Sequence, residues 1–428
     1  VLLFAALLAG APPAAAQQDA TPDLRSIAAM ETSDLVGVVS RYSADRDALL
    51  RRWDVAYSSD RRERLSAFYQ GWLQQLDAID VEGLGLEGRI DHVLLRSELR
   101  YQLELLEREG RLAAELQSLV PFISTIAALQ EARRDLAPVD PREAAVALQD
   151  LADEVERLRT ALEASLDATE GEATVPSPIV ALRAARAVGS LRRDLEDWYG
   201  HYAGYDPLFT WWAESPYSAV DSALAGYVDF VRERLVGVGA GGEEPIVGDP
   251  IGADAMRSDL EHEMIAYTPE ELIAIGEREF AWCEAEMVRA SRDMGFGDDW
   301  HAALEHVKTL HVAPGEQPDL VRDLAWEAVA FLQERDLLTI PPLAEEVWRL
   351  EMMSPEMQKI APFFLGGEVI QVSFPTDGMA HEDKLMSMRA NNVHFSRATV
   401  HHELIPGHHL QGFMTRRYNP HRRAFGTP

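Results

Sequence analysis

The sequence contains a single cysteine, Cys283, among 428 residues. One thiol cannot form an internal disulfide, and it cannot supply the several thiolates of a zinc finger or an iron–sulfur cluster. Any metal site in this chain must therefore be built from histidine and carboxylate ligands.

Basic residues are also few, since Lys and Arg number 40 against 71 Asp and Glu, a formal net charge of −31. A surface this negative repels nucleic-acid phosphates and anionic lipid headgroups, so we expect no nucleic-acid partner. The 47% hydrophobic and 26% charged residues are typical of a globular protein and exclude a disordered or collagen-like chain.

Long apolar runs are missing except at residues 1–16 (VLLFAALLAGAPPAAA). This segment is shorter than the roughly 20 residues that span a bilayer, Pro12 and Pro13 interrupt it, and it ends in an A-x-A pattern. It predicts a signal peptide whose beginning is missing, because no Met or basic residue precedes it, and a periplasmic or secreted protein. A membrane anchor is the alternative; after signal removal we expect no integral membrane segment.

Beyond residue 20, apolar residues recur every three or four positions and few stretches alternate, which predicts an all-α fold. A Gly- and Pro-rich stretch at 236–252 divides the chain into N-terminal (17–236) and C-terminal (253–428) helical regions. The predicted helices span residues 33–53, 61–79, 91–116, 141–165, 178–202, 219–235, 268–295, 300–310 and 318–335.

One stretch, residues 368–374 (EVIQVSF), has the β-branched alternation of a strand and is followed by a turn. A lone strand cannot satisfy its backbone groups, so it needs a partner. A short neighbouring strand in a hairpin, or an extended peptide ligand paired with its edge, would serve.

Histidines cluster at the end of the chain, with seven of the thirteen after residue 380. Residues 400–411 read VHHELIPGHHLQ, close in composition to the H-E-x-x-H zinc helix, in which the glutamate acts as base. His402 and His408, six residues apart, would point about 240° apart on a straight helix. A two-residue bulge at Pro406 and Gly407 would bring them to one ion.

This pattern predicts a metal site on His402 and His408, with zinc favoured over iron or manganese in an exported protein. The alternative is that the histidines decorate a helix broken by proline and bind no metal. A metal site that only binds needs no acid beside its first histidine. Glu403 therefore favours an enzyme.

The stretch 402–411, together with residues 267–272, Gly276 and Glu279, resembles the bacterial domain-of-unknown-function 885 family. The resemblance implies a zincin-like, helical metallopeptidase with a substrate channel. It also implies that His402 and His408 bind zinc, that Glu403 is the catalytic base, and that the strand at 368–374 lies beside the cleft.

We therefore expect an exported zinc-dependent peptidase that acts on oligopeptides. A non-catalytic periplasmic metal- or peptide-binding protein is the alternative. Tyr418 could contact a substrate oxyanion, and Arg397 or Arg389 a substrate carboxylate, although packing for the tyrosine and ordinary ion pairs for the arginines are the favoured explanations.

A third protein ligand is harder to find, because residues 409–428 contain neither Asp nor Glu. His421 is the downstream candidate, but it lies in a basic, turn-like stretch. The family resemblance implies a glutamate in a segment that follows Gly426-Thr427-Pro428. We therefore expect this chain to hold an incomplete site.

Overall fold

The structure is a computed structural model that describes residues 23–28, 30, 32–167, 176–239 and 247–426. The predicted signal peptide at 1–16 lies outside these residues. Helices dominate the described chain, as expected for an all-α protein, and none of those helices is long and apolar enough to cross a membrane.

The helices begin and end as follows. They are α1 (Leu24–Ala28), α2 (Val36–Arg52), α3 (Ser59–Asp77), α4 (Leu86–Leu116), α5 (Ile123–Arg134), α6 (Pro141–Asp167), α7 (Pro178–Tyr202), α8 (Pro207–Phe230), α9 (Ala253–His262), α10 (Pro269–Asp293), α11 (Trp300–Val307), α12 (Gln317–Glu334), α13 (Pro342–Val347), α14 (Pro355–Gln358), α15 (His381–Ala390), α16 (Val393–Glu403) and α17 (His408–Thr415). Short 3₁₀ turns span Val81–Gly83 and Pro420–Phe425, and a π-helical turn spans Val231–Val236.

The chain divides into two compact units. One is Gly37–Pro269, and the other is Glu270–Pro428 together with Val1–Val36. The first unit thus extends past the Gly- and Pro-rich stretch at 236–252.

Within the unit Gly37–Pro269, α5 to α8 form a large hydrophobic core. On α6 the buried residues recur at helical spacing, from Ala144 through Leu148 and Leu151 to Val155. The hydroxyl of buried Tyr227 donates a 2.6 Å hydrogen bond to the Leu119 carbonyl, so its polar end is satisfied inside this core.

The last helix of this unit, α9, contacts α4 chiefly through polar groups, and Ala255 is its buried residue. The Asp259 carboxylate accepts hydrogen bonds from Arg108 Nη2 (2.9 Å) and the Tyr101 hydroxyl (3.1 Å). The His262 ring stacks on Tyr101 with a centroid distance of 3.9 Å. Helix α9 is therefore attached to α4 by hydrogen bonds and an ion pair more than by the burial of apolar residues.

In the other unit, α12 carries apolar residues along one face and packs between two clusters. Its first half, at Val321 and Leu324, contacts the first cluster, and its second half, at Val329 and Leu332, contacts the second. The first cluster also contains Phe364, Ile370, Val372, Val400 and Leu404, and the second contains Ala344, Ile405, Leu410 and Phe413.

The strand predicted at 368–374 forms as β2 (Val369–Val372), but it does not belong to a hairpin. It pairs in parallel with β1 (Arg349–Met352), in the register Arg349 with Val369. On the opposite edge, Gln371 exchanges two backbone hydrogen bonds with Leu365, of 2.7 and 3.0 Å. Both edges of β2 are therefore engaged by this chain at Gln371, and the predicted pairing with a peptide ligand has no free edge there.

The predicted helix limits mostly agree with the structure, and α7 coincides with its prediction. The prediction missed α5, α9 and the short helices α13 to α17, and α8 begins at Pro207 instead of residue 219. The Asp206 carboxylate caps it by accepting from two backbone N–H groups, and the helix continues through Pro216.

Candidate metal centre

The candidate site lies where α16 ends. The side chain of Asn392 caps the start of α16 by accepting from the N–H groups of His394 and Phe395, both at 3.1 Å. The helix then packs along α12 and ends at Glu403. This packing fixes the direction in which its last turn presents His402 and Glu403.

Residues 404–407 interrupt the helix at the position of the predicted two-residue bulge. The Gly407 N–H donates to the His401 carbonyl at 3.2 Å, and the Leu410 N–H donates to the Leu404 carbonyl at 3.2 Å. Both bonds span six residues, where an α-helix spans four. The peptide bond before Pro406 is cis, and α17 begins immediately afterwards at His408.

Two buried side chains hold this break in place. Leu404 is 1% exposed in the first cluster along α12, and Ile405 is 2% exposed in the second. Because consecutive residues are anchored in different clusters, the chain between α16 and α17 has little freedom to shift. The relative position of the two helices is set by apolar packing.

The consequence is that His402 and His408 meet, with ring centroids 4.6 Å apart and ring planes at 77°. One donor atom from each histidine and one carboxylate oxygen of Glu403 all lie within 4.8 Å of one another. Within the described part of the chain, these three residues are the group of His, Cys, Asp or Glu side chains placed closely enough to hold an ion.

The donor set fits zinc after small side-chain rotations. Two atoms bound to one zinc at about 2.0–2.1 Å are at most about 4.2 Å apart. Both imidazoles are exposed and Glu403 is half-buried, so the side chains have room to close the difference of less than 1 Å. Imidazole nitrogen and carboxylate oxygen are both common zinc ligands.

Glu403 is held by a backbone contact that the sequence prediction did not include. A Cβ placed on Gly366 would lie 2.1 Å from Glu403 Oε2, so only glycine allows the loop to approach this carboxylate. The neighbouring Gly367 N–H points at the Glu403 carbonyl at 3.4 Å. A Gly-Gly pair directly before a predicted strand is the sequence signal that could have indicated such an approach.

The other histidines of the motif have different surroundings. His409 is buried, and its Nε2 donates to the Ala344 carbonyl at 2.7 Å, so it ties α17 to α13. The Nε2 of His401 is buried without a hydrogen-bond partner among the described residues. His421 lies in the 3₁₀ turn Pro420–Phe425 and is not part of the donor group.

The proposed substrate contacts are not grouped with these donors. Arg397 forms an ion pair with Glu327 on α12, and Arg389 forms one with Glu305 on α11. Both pairs support the structural interpretation of these arginines. Tyr418 follows α17 and is 47% exposed, and its hydroxyl makes no hydrogen bond to a described residue.

A cavity of about 720 Å³ opens beside His408. It includes Gly366, the residue that contacts Glu403, so the donor group lies at its border. Its wall is formed by Val347, Gly366, Gly367, Glu368, His408, His409, Gly412, Phe413, Arg416 and Arg417. Among these residues the Glu368 carboxylate accepts a 2.9 Å hydrogen bond from Arg416 Nη1, and Arg349 lies 3.5 Å away from it.

Comparison with known proteins places the chain among bacterial sequences. The family model described as "Bacterial protein of unknown function (DUF885)" matches residues 35–427. A solved structure described as a putative lipoprotein of unknown function from Shewanella oneidensis is similar, with a TM-score of 0.58 and 13% identity over 91% of this chain and 73% of that one. At this identity the likeness shows the fold alone. No curated protein matches the sequence.

Proposed function

Since this chain belongs to the bacterial DUF885 family of unknown function, we propose its activity from the site itself: an exported zinc-dependent peptidase that hydrolyses oligopeptides. The observation that carries the proposal is the meeting of His402, Glu403 and His408 at the helix break. The family match agrees with the motif resemblance, whereas the zincin-like activity is our inference from the donor chemistry.

The two imidazoles would hold the metal through neutral ring nitrogens. A bound zinc would lower the pKa of a coordinated water to about 7 and polarise the scissile carbonyl. Glu403 is adjacent to His402 in the chain, and its carboxylate oxygen belongs to the same donor group. This proximity supports Glu403 as the base that would accept a proton from a metal-bound water.

In this mechanism Glu403 moves the proton. Its carboxylate accepts a proton from the attacking water and returns it to the leaving amine nitrogen, so the side chain ends the cycle unchanged. The contact with Gly366 restricts where the carboxylate can lie. A base whose position is restricted in this way loses less conformational entropy when it is oriented for each turnover.

The exported location is part of the proposal and has two supports. The first is the apolar segment at residues 1–16 with its A-x-A ending. The second is the description of the similar solved structure as a putative lipoprotein.

Metal analysis of histidine variants tests the site. His402→Ala and His408→Ala should each lower zinc content and peptidase activity together, because each removes one ligand. His394→Ala is the matched control, since this exposed histidine lies on the same helix outside the donor group. If zinc content is unchanged in both ligand variants, the ligands are misassigned.

Glu403→Gln separates catalysis from binding. If Glu403 is the base, this variant should keep zinc and lose about 10²–10⁴-fold in hydrolysis of a peptide library. Loss of zinc would instead make Glu403 a ligand. Wild-type protein that binds zinc but cleaves no peptide would favour the non-catalytic metal- or peptide-binding alternative.

A further inference from the structure

The cavity beside His408 contains two arginines in different electrostatic states. Arg416 is paired with Glu368, whose other oxygen faces Arg349 at 3.5 Å. The charge of Glu368 is thereby compensated within the chain. Arg417 also lines this cavity, but no carboxylate of the described residues lies within 4.0 Å of its guanidinium. In a protein with 71 acidic residues, this cation remains available to an anion.

Arg417 is held in a defined orientation. Its guanidinium carbon lies 3.3 Å from the centroid of the Phe413 ring, a cation–π contact, and Nη1 donates to the Phe413 carbonyl at 2.8 Å. Phe413 is buried in the second cluster along α12, so the platform under the arginine is rigid. The edge formed by Nε and Nη2 makes no hydrogen bond to a described residue. That edge has the two-pronged geometry that matches a carboxylate.

We propose that Arg417 binds a carboxylate of the peptide substrate, so that the enzyme prefers peptides that place a carboxylate in the cavity next to His408. This inference rests on the proposed peptidase function and adds its substrate class. The carboxylate is either the free C-terminus of the peptide or an acidic side chain. The chemistry of recognition is the same for both.

Binding to the zinc-free protein tests this recognition independently of hydrolysis. Isothermal titration calorimetry with N-acetyl-Ala-Ala-Phe as the free acid and as the C-terminal amide compares ligands that differ in one carboxylate. The acid should bind about tenfold more tightly than the amide, since hydrogen bonds to charged groups contribute at least this much. Equal affinities of the acid and the amide overturn the proposal.

Three variants assign the effect to Arg417. Arg417→Gln should remove the preference for the acid, whereas Arg417→Lys, which keeps the charge but not the paired donors, should keep part of it. Arg335→Gln is the matched control, because Arg335 stacks on Phe331 in the same way but does not line the cavity. A preference that survives in Arg417→Gln, or is lost equally in Arg335→Gln, contradicts the assignment.

A third ligand, N-acetyl-Ala-Ala-Glu amide, distinguishes the two sources. If its affinity equals that of the free acid, the subsite binds acidic side chains. If its affinity equals that of the phenylalanine amide, the subsite binds the C-terminal carboxylate of the peptide. Both outcomes support a carboxylate subsite. Because these titrations need no turnover, a preference for the acid combined with absent hydrolysis in the zinc-loaded protein would refute the peptidase and leave the subsite standing.

Discussion

At the scale of single residues, the geometry of the helix break depends on Gly407. A Cβ at this position would lie 1.6 Å from the His402 carbonyl oxygen and 2.9 Å from that of His401. These are backbone atoms, so no side-chain rotation can relieve the overlap. Glycine is required because the chain passes directly over the end of α16.

Gly407→Ala should therefore destabilise the unit that contains it by about 3 kcal/mol, the upper part of the usual cost of overpacking. It should also lower zinc content, because His408 would be displaced from His402. Urea unfolding and metal analysis measure the two effects. Gly71→Ala is the control, since nothing lies within 4 Å of a Cβ in the middle of α3. A Gly407→Ala protein as stable as the wild type would show that the break can rearrange.

The residues of the site differ in how far the sequence could predict them. His402, Glu403 and His408 belong to one short motif, and Pro406 with Gly407 indicates that the helix is interrupted there. Their meeting was therefore predictable from this local break, although the burial of Leu404 and Ile405 fixes it. Gly366 contacts Glu403 from almost forty residues away, and Arg417 lines one cavity together with Gly366 and Gly367. Such long-range relations depend on tertiary packing, which a single sequence does not display.

At the scale of secondary-structure elements, the attachment of α9 to α4 is the most sensitive to solution conditions. The hydrogen bond from Arg108 keeps the pKa of Asp259 below its usual value of 3.8, and the Tyr101 hydroxyl acts in the same direction. A carboxyl group whose pKa is lowered in the folded state stabilises the fold above its unfolded pKa. This contribution is lost as the pH falls below about 3.8.

Asp259→Asn should accordingly increase hydrogen exchange of the α9 amides at pH 7, and the difference from the wild type should shrink as the pH falls through the lowered pKa of Asp259. Asp259 is accessible to solvent, so screening limits the change to about 0.5–1 kcal/mol, or roughly a two- to fivefold change in exchange. The control Asp254→Asn removes a carboxylate that pairs with Arg257 of the same helix. Equal protection of α9 in wild type and Asp259→Asn at pH 7 would mean that Asp259 does not hold this helix.

Helices with a clear three- and four-residue pattern of apolar residues could be predicted from the sequence. Elements that are held mainly by ion pairs or by pairing with another strand could not. The helices α7 and α12 bury a continuous face, which leaves a clear three- and four-residue pattern in the sequence. By contrast, α9 buries Ala255 and is attached by ion pairs, so its sequence carries little periodic signal. The strand β2 was visible from its alternation, but its parallel partner β1 is mostly exposed and lacks that pattern.

At the scale of the whole molecule, the division into two units separates the large helical core from the candidate metal centre. Every residue of the core formed by α5 to α8 lies within Gly37–Pro269, and the donor group lies in the other unit. The core formed by α5 to α8 is therefore complete within the first unit.

Residues 37–269 produced alone should fold into a helical protein. Circular dichroism should show a cooperative thermal transition for the part of the fragment built on α5 to α8, because one core connects those helices. The fragment should bind no stoichiometric zinc, since the candidate ligands lie outside it. A gradual, non-cooperative loss of helical signal would show that this core requires the remainder of the chain.

The helix break also has a consequence for how a metal would affect folding. His402, Glu403 and His408 lie within seven consecutive residues, so bringing them together closes only a very short loop. An unfolded chain can therefore offer the same donors to zinc, and any affinity of the unfolded state subtracts from the stabilisation of the native state. Zinc should consequently raise the melting temperature less than an equally tight ion bound between distant helices. Zinc binding would therefore indicate only that this local turn has formed. The free energy of folding would come mainly from the apolar residues packed around Leu404 and Ile405.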